Sequence, residues 1–164
     1  MTIDHIRCPL HRYTFSKEPI RKWVEGACEP LVLNLFAGKT LLSCEEVRND
    51  VDASMVARYR LDALDFVRQW RGEKFGTVLL DPPYSYRKSM EKYNKNVASR
   101  FRLLKDELPQ IIKPSGIVIT FGYHSVSMGS LRGFAVERIG LFSHGGAIHD
   151  TISTVERMMA PSTP

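Results

Sequence analysis

Leu31-Val32-Leu33-Asn34-Leu35-Phe36-Ala37-Gly38 is an almost unbroken apolar run that stops at a glycine. Apolar residues in continuous sequence, rather than in alternation, mark a strand covered on both faces, which implies a parallel sheet flanked by helices. Thr77-Val78-Leu79-Leu80 repeats the pattern and breaks at Asp81, because Pro82 and Pro83 have no N–H to continue a ladder. Ile117-Val118-Ile119-Thr120-Phe121-Gly122 is a third such run.

Working outward, Ser16-Lys17-Glu18-Pro19 predicts a helix start with Ser16 as cap and Pro19 in the first turn, the helix running to about Gly26. Pro30 ends the connection that follows. A strand is expected across Glu45 to Asp50, a shorter one around Tyr59-Arg60-Leu61, and a helix from Asp62 to Trp70 closed by Gly72. Val97, Phe101, Leu104, Leu108 and Ile111 recur at spacings of three and four, predicting an amphipathic helix from Val97 to Ile112. After a turn at Pro114-Ser115-Gly116, two late strands, Phe134 to Phe142 and Ile148 to Arg157, should form an antiparallel hairpin around His144-Gly145-Gly146.

Strands interleaved with helices and closed by a hairpin argue for an α/β fold: one open, mostly parallel, seven-stranded sheet. The 164 residues suit a single domain, 1–164, with an N-terminal arm over 1–14 and a tail over 158–164. Hydrophobic residues at 43% and charged residues at 25% exclude a disordered or low-complexity chain. The net charge of +5 permits a polyanionic partner without requiring one. Cys8, Cys28 and Cys44 form no Cys-x-x-Cys pair, and no apolar run is long enough to span a membrane, so a reduced cytoplasmic setting without membrane attachment is expected. The sequence leaves oligomeric state open.

Ligands in open α/β sheets bind beyond the carboxyl ends of the strands. Three such ends carry polar groups or glycine: Asn34 to Gly38, Asp50, and Asp81-Pro82-Pro83-Tyr84. The last is the strongest chemical signal. Consecutive prolines stiffen the backbone, a carboxylate and a carbonyl can accept both hydrogens of an exocyclic amine, and the Tyr84 ring can stack on a base. The competing reading, an ordinary Asp-Pro turn, is weaker directly after a buried strand.

Asp81-Pro82-Pro83-Tyr84 resembles the catalytic motif of the S-adenosylmethionine-dependent amino-methyltransferases, and the resemblance spans about Phe15 to Arg157. The motif order is that of the gamma type, and the chain is similar to small archaeal proteins described as adenine-specific DNA methylases. The resemblance implies a Rossmann-like class I methyltransferase that transfers a methyl group from S-adenosylmethionine to an exocyclic amine of a base. Adenine N6 in DNA is the first reading. Alternatives are guanine N2 or adenine N6 in RNA, and an inactive cofactor-binding partner subunit. It assigns catalysis to Asp81, Pro82, Pro83 and Tyr84. For the cofactor it implies Asn34, Phe36, Ala37 and Gly38 after the first strand, Asp50 or Asp52 for the ribose, Asp62 and Ala63 for the adenine, and Lys17 at the methionine end.

Two departures stand out. The second motif glycine is replaced, giving Ala37-Gly38-Lys39-Thr40, and only six residues, Lys39 to Cys44, separate Gly38 from the strand expected at Glu45, fewer than a helical crossover uses. The first crossover must be compressed. Gly38-Lys39-Thr40 also matches the end of a phosphate-binding P-loop, but the glycine that motif requires is Leu33, inside the apolar run. His5, Cys8 and His11 are three potential metal ligands where a structural zinc site usually has four, so no metal is expected. His124, His144 and His149 read as capping or packing residues. Tyr86, Arg87, Lys88, Lys92, Tyr93, Lys95, Arg100 and Arg102 mix cations with aromatics beside the catalytic motif, and Tyr86, Arg87 and Lys88 are the expected nucleic-acid contacts.

Overall fold

The computed structural model describes residues 1–82, 100–146 and 149–160. In chain order the strands are β1 (Thr2–Arg7), β2 (Val32–Asn34), β3 (Glu46–Arg48), β4 (Phe75–Leu80), β5 (Ile112–Gly122), β6 (Phe134–Ser143) and β7 (Thr151–Met158). The described helices are α1 (Glu18–Glu25), α2 (Ala63–Gln69) and α3 (Arg100–Glu107). All seven strands join one sheet in the order β1-β6-β7-β5-β4-β2-β3. Pairing is parallel from β3 through β2 and β4 to β5, and again between β1 and β6, while β7 runs antiparallel to both β5 and β6.

The continuous apolar runs are explained by cover on both faces. Every residue of β4 is buried. Leu33, Val78, Leu80 and Val118 pack with α2 and α3 on one side, whereas Val32, Leu79, Ile117 and Ile119 pack with α1 on the other. Each strand thus splits its side chains between two cores, which leaves no polar face to produce an alternation.

Seven strands are present, but not the seven expected. Tyr59 forms only an isolated parallel bridge with Asn49. Two backbone hydrogen bonds, Tyr59 N to the Arg48 carbonyl and Asp50 N to the Tyr59 carbonyl, are not continued into a ladder, and the Tyr59 ring packs edge-on against Phe66 at 5.2 Å and Trp70 at 6.0 Å. The seventh strand is β1, inside the segment read as an N-terminal arm. Its inward position Asp4 is charged, and its carboxylate accepts from Trp23 Nε1 at 2.8 Å and from Arg138 Nε. An ionic residue on the inward side hides the strand pattern.

Other boundaries moved for local reasons. Ser16 lies in a 3-10 turn, Thr14–Ser16, and its hydroxyl turns back to the Tyr13 carbonyl at 2.7 Å; Lys17 occupies the α1 N-cap without a side-chain bond. After Glu107 the chain tightens into a 3-10 turn, Leu108–Ile111, where Pro109 cannot donate to an α-helical ladder. Val97 and Ile148 lie outside the described residues. The first crossover, residues 35–45, contains neither helix nor strand.

Candidate active site

From β2 the chain moves outward to β3 and then returns across the sheet to β4 on the other flank of β2. The order of strands therefore reverses between β2 and β4, and a crevice opens beyond their carboxyl ends. A cleft of about 670 Å³ lies there, within the size range of small-molecule sites.

Its floor begins with the segment after β2. Phe36, Ala37 and Gly38 all line it. Gly38 has φ +59, the left-handed region where a side chain is strained, and its N–H donates to Asp50 Oδ2 at 2.9 Å. The other Asp50 oxygen accepts from Asp52 N at 3.0 Å, and Asp52 Oδ1 in turn accepts from Ser54 N at 2.8 Å. Asp50 and Asp52 both face the cleft. Hydrogen bonds from the Ser54 backbone and side chain hold the Asp52 carboxyl below the usual carboxylate range, with Lys39 and Arg60 adding electrostatically.

Asp62 and Ala63 form another wall. Asp62 caps α2 by accepting from Leu64 N at 3.0 Å, and the same oxygen pairs with Arg100 at 2.6 Å, joining the start of α2 to the start of α3. Asp81 and Pro82, directly after β4, complete the carboxylate side of the cleft. Asp50, Asp52, Asp62 and Asp81 therefore converge from two connections, β3 to α2 and the segment after β4, on one space.

The structure does not bring every expected residue there. Lys17 caps α1 and does not line the cleft, and Asn34 is fully buried with its amide donating to Glu46 Oε2 at 3.0 Å. Lys17 begins a helix, and Asn34 ties β2 to β3. Pro83, Tyr84, Tyr86, Arg87 and Lys88 lie outside the described residues.

The N-terminal segment contributes more than its sequence suggested. Arg12, Tyr13, Thr14 and Phe15 line the cleft, as do Phe121, Gly122 and Tyr123 at the end of β5. The Arg12 guanidinium and Lys39 Nζ lie 5.6 and 5.7 Å from the Tyr13 ring centroid, close enough for cation–π attraction. Phe15 meets Phe121 edge-on at 5.4 Å, which seats this segment on the sheet. Only Phe121-Gly122 carried a readable signal, as the end of an apolar strand.

His11, His144 and Cys8 find structural partners. His144 bridges the Cys8 carbonyl at 2.7 Å and Thr151 Oγ1 at 2.8 Å, tying β1 to β7, while burial raises the Cys8 thiol pKa. His11 Nδ1 lies 3.2 Å from Tyr13 N. No helix among the described residues is long and apolar enough to cross a membrane.

Comparison with known proteins speaks to the architecture. The N-methyltransferase NodS from Bradyrhizobium japonicum WM9 superposes with TM-score 0.55 at 11% identity, covering 79% of this chain and 85% of NodS. The fold is that of the class I methyltransferases. TrmN from Thermus thermophilus matches with TM-score 0.59 at 15% identity over 90% of this chain and 50% of TrmN. The glycopeptide N-methyltransferase MtfA, solved with (S)-adenosyl-L-methionine, matches with TM-score 0.52 at 14% identity over 93% of this chain and 97% of MtfA. No family model and no curated protein matches the sequence.

Proposed function

We propose that this methyltransferase fold carries a methyl group from S-adenosylmethionine to an exocyclic amine of a nucleic-acid base, adenine N6 in DNA being the first candidate. One observation carries the reading: Asp81-Pro82, the start of the amino-methyltransferase motif, lines the same cleft as Gly38 and Asp50.

The donor set suits this cofactor better than a nucleoside triphosphate. Among the described residues, Asp50, Asp52, Asp62 and Asp81 outnumber the two cations of the cleft, Arg12 and Lys39, which gather at the Tyr13 ring; the carboxylates would disfavour a triphosphate chain while accepting from ribose hydroxyls and attracting a sulfonium. That argues against the P-loop reading of Gly38-Lys39-Thr40 a second time. In this reading Asp50, bonded to Gly38, would accept from the ribose, and Asp62 with Ala63 would meet the adenine. When bound, S-adenosylmethionine supplies a positively charged methyl donor that needs no acid to leave.

The chain's own residues then supply orientation. A ring-conjugated amine is a weak nucleophile, so holding its two hydrogens on the Asp81 carboxylate and the Pro82 carbonyl would turn the nitrogen lone pair toward the donor. Pro82 is buried, which restricts how that acceptor pair can move. Asp81 need not take a proton before attack, because the newly methylated ammonium is acidic enough to lose one afterwards. A base within a duplex must first be swung out, at a cost of about a few kcal/mol. Arg12, Lys39 and Tyr13 at the cleft support a polyanionic substrate whose bases can stack.

The test is labelled-methyl transfer to matched DNA and RNA pools followed by nucleoside analysis. The expected product is N6-methyldeoxyadenosine. Label confined to RNA moves the assignment to the RNA alternative. Cofactor binding with transfer to neither polymer identifies the inactive-subunit reading.

A further inference from the structure

A class I methyltransferase crossover normally has room for a helix after the glycine segment, and residues 35–45 of this chain have none. Something else must fix the backbone of Ala37 and Gly38. We propose that the buried Arg48–Glu46 pair is a positioning device for the cofactor segment, standing in for the missing helix; this rests on the reading of the cleft as a cofactor site.

Both residues belong to β3 and sit two apart, with side chains 8% and 4% exposed. Arg48 Nη2 donates to the carbonyls of Ala37 at 2.7 Å and Gly38 at 3.2 Å. Its Nε donates to the Val56 carbonyl at 2.6 Å, and Nη1 pairs with Glu46 Oε1 at 2.6 Å. Glu46 also accepts from Leu42 N of the crossover at 2.9 Å and from Asn34 Nδ2 at the end of β2 at 3.0 Å. Val56 N closes the circuit by donating to the Gly38 carbonyl at 3.0 Å.

The consequence is that Gly38 is held at both ends. Its N–H is fixed on Asp50, inside the cleft, and its carbonyl on Arg48 and Val56, neither of which lines the cleft. The left-handed Gly38 conformation then follows from two opposed anchors rather than from the glycine alone. A guanidinium suits this task because one rigid fork serves the Val56 carbonyl, the Ala37 and Gly38 carbonyls and a carboxylate together; a lysine ammonium has three donors and no such plane. A buried ion pair adds little to stability against an apolar replacement, so the role of this one lies in geometry rather than in energy.

Arg48→Lys keeps the charge and removes the fork. The expected result is a chain that still melts cooperatively, binds S-adenosylmethionine about tenfold more weakly by calorimetric titration, and shows a larger rise in cofactor KM than fall in kcat. Unchanged cofactor affinity in folded Arg48→Lys overturns the inference, as does a loss confined to kcat. Should Arg48→Lys fail to fold, Glu46→Gln carries the test: weakened affinity supports the device, and a lowered melting temperature with unchanged affinity contradicts it. Failure of the wild-type chain to bind S-adenosylmethionine at all is a different outcome, which removes the cofactor reading and this inference with it.

Discussion

The two strand ends that flank the cleft are built in opposite ways. Beyond β4, the chain is shaped by its own covalent chemistry: a fully buried strand meets Pro82, and Asp81 is left at the edge of the cleft. Beyond β2, the chain has no such local restraint, and Ala37-Gly38 take their course from Arg48, Glu46 and Asp50, all contributed by the next strand and the turn after it. One wall of the site is determined within a few residues, the other by partners eight to twelve positions away from Gly38. The first should therefore tolerate distant mutation and fail by loss of chemistry, while the second should fail by loss of ligand affinity.

That contrast can be broken most sharply at Asp81. Asp81→Ala should lower methyl transfer by about 10²-fold or more, the cost of losing the orientation of the reacting amine, with S-adenosylmethionine affinity and melting temperature close to wild type. A parallel loss of cofactor affinity would merge the two walls into one. On the other wall, Asp50→Ala removes the acceptor of the Gly38 N–H and should weaken cofactor binding about tenfold in a titration, with kcat at saturation less affected. Gly38→Ala is a finer probe. An added Cβ would meet nothing nearer than Tyr13 Cδ1 at 4.0 Å, so the strain is purely one of backbone at φ +59. It should cost ~1–2 kcal/mol, divided between stability and cofactor affinity.

The smallest effect concerns β1, which holds the segment leading to Arg12 and Tyr13. The Arg138 hydrogen bond first, and the Trp23 hydrogen bond second, hold the Asp4 carboxyl below its ordinary value. A depressed carboxylate stabilises the fold above its unfolded pKa, and that contribution disappears as pH falls through the folded pKa. Asp4→Asn should thus lower the melting temperature at neutral pH by an amount worth no more than about 1 kcal/mol for a partly exposed pair, and the gap to wild type should close below about pH 4. A gap independent of pH would mean that Asp4 acts through packing alone.

The same contrast explains what could be read in advance. Strands β2, β4 and β5 were legible because burial on both faces writes itself directly as apolar runs, and Asp81-Pro82 was legible because prolines act on their own neighbours. Gly38, Asp50, Asp52, Asp62 and Ala63 followed from resemblance to a motif order and do meet at one cleft. Strand β1 escaped because its inward Asp4 is satisfied by α1 and β6, information held 19 and 134 residues away. Lys17 and Asn34 do not line that cleft, for a related reason: position next to a motif says nothing about which way a side chain leaves it. Arg48 and Glu46 looked like ordinary charged residues of a short strand. Nothing in their immediate sequence signals that they are buried and bound to the segment before them.

The most direct test of the account is a crystal structure of this chain with S-adenosylhomocysteine bound. It should show the ribose at Asp50 and the sulfur in the cleft between Gly38 and Asp81, with the Asp81 carboxylate turned toward it. A ligand seated elsewhere on the sheet, or an Asp81 side chain directed out of the cleft, would contradict it.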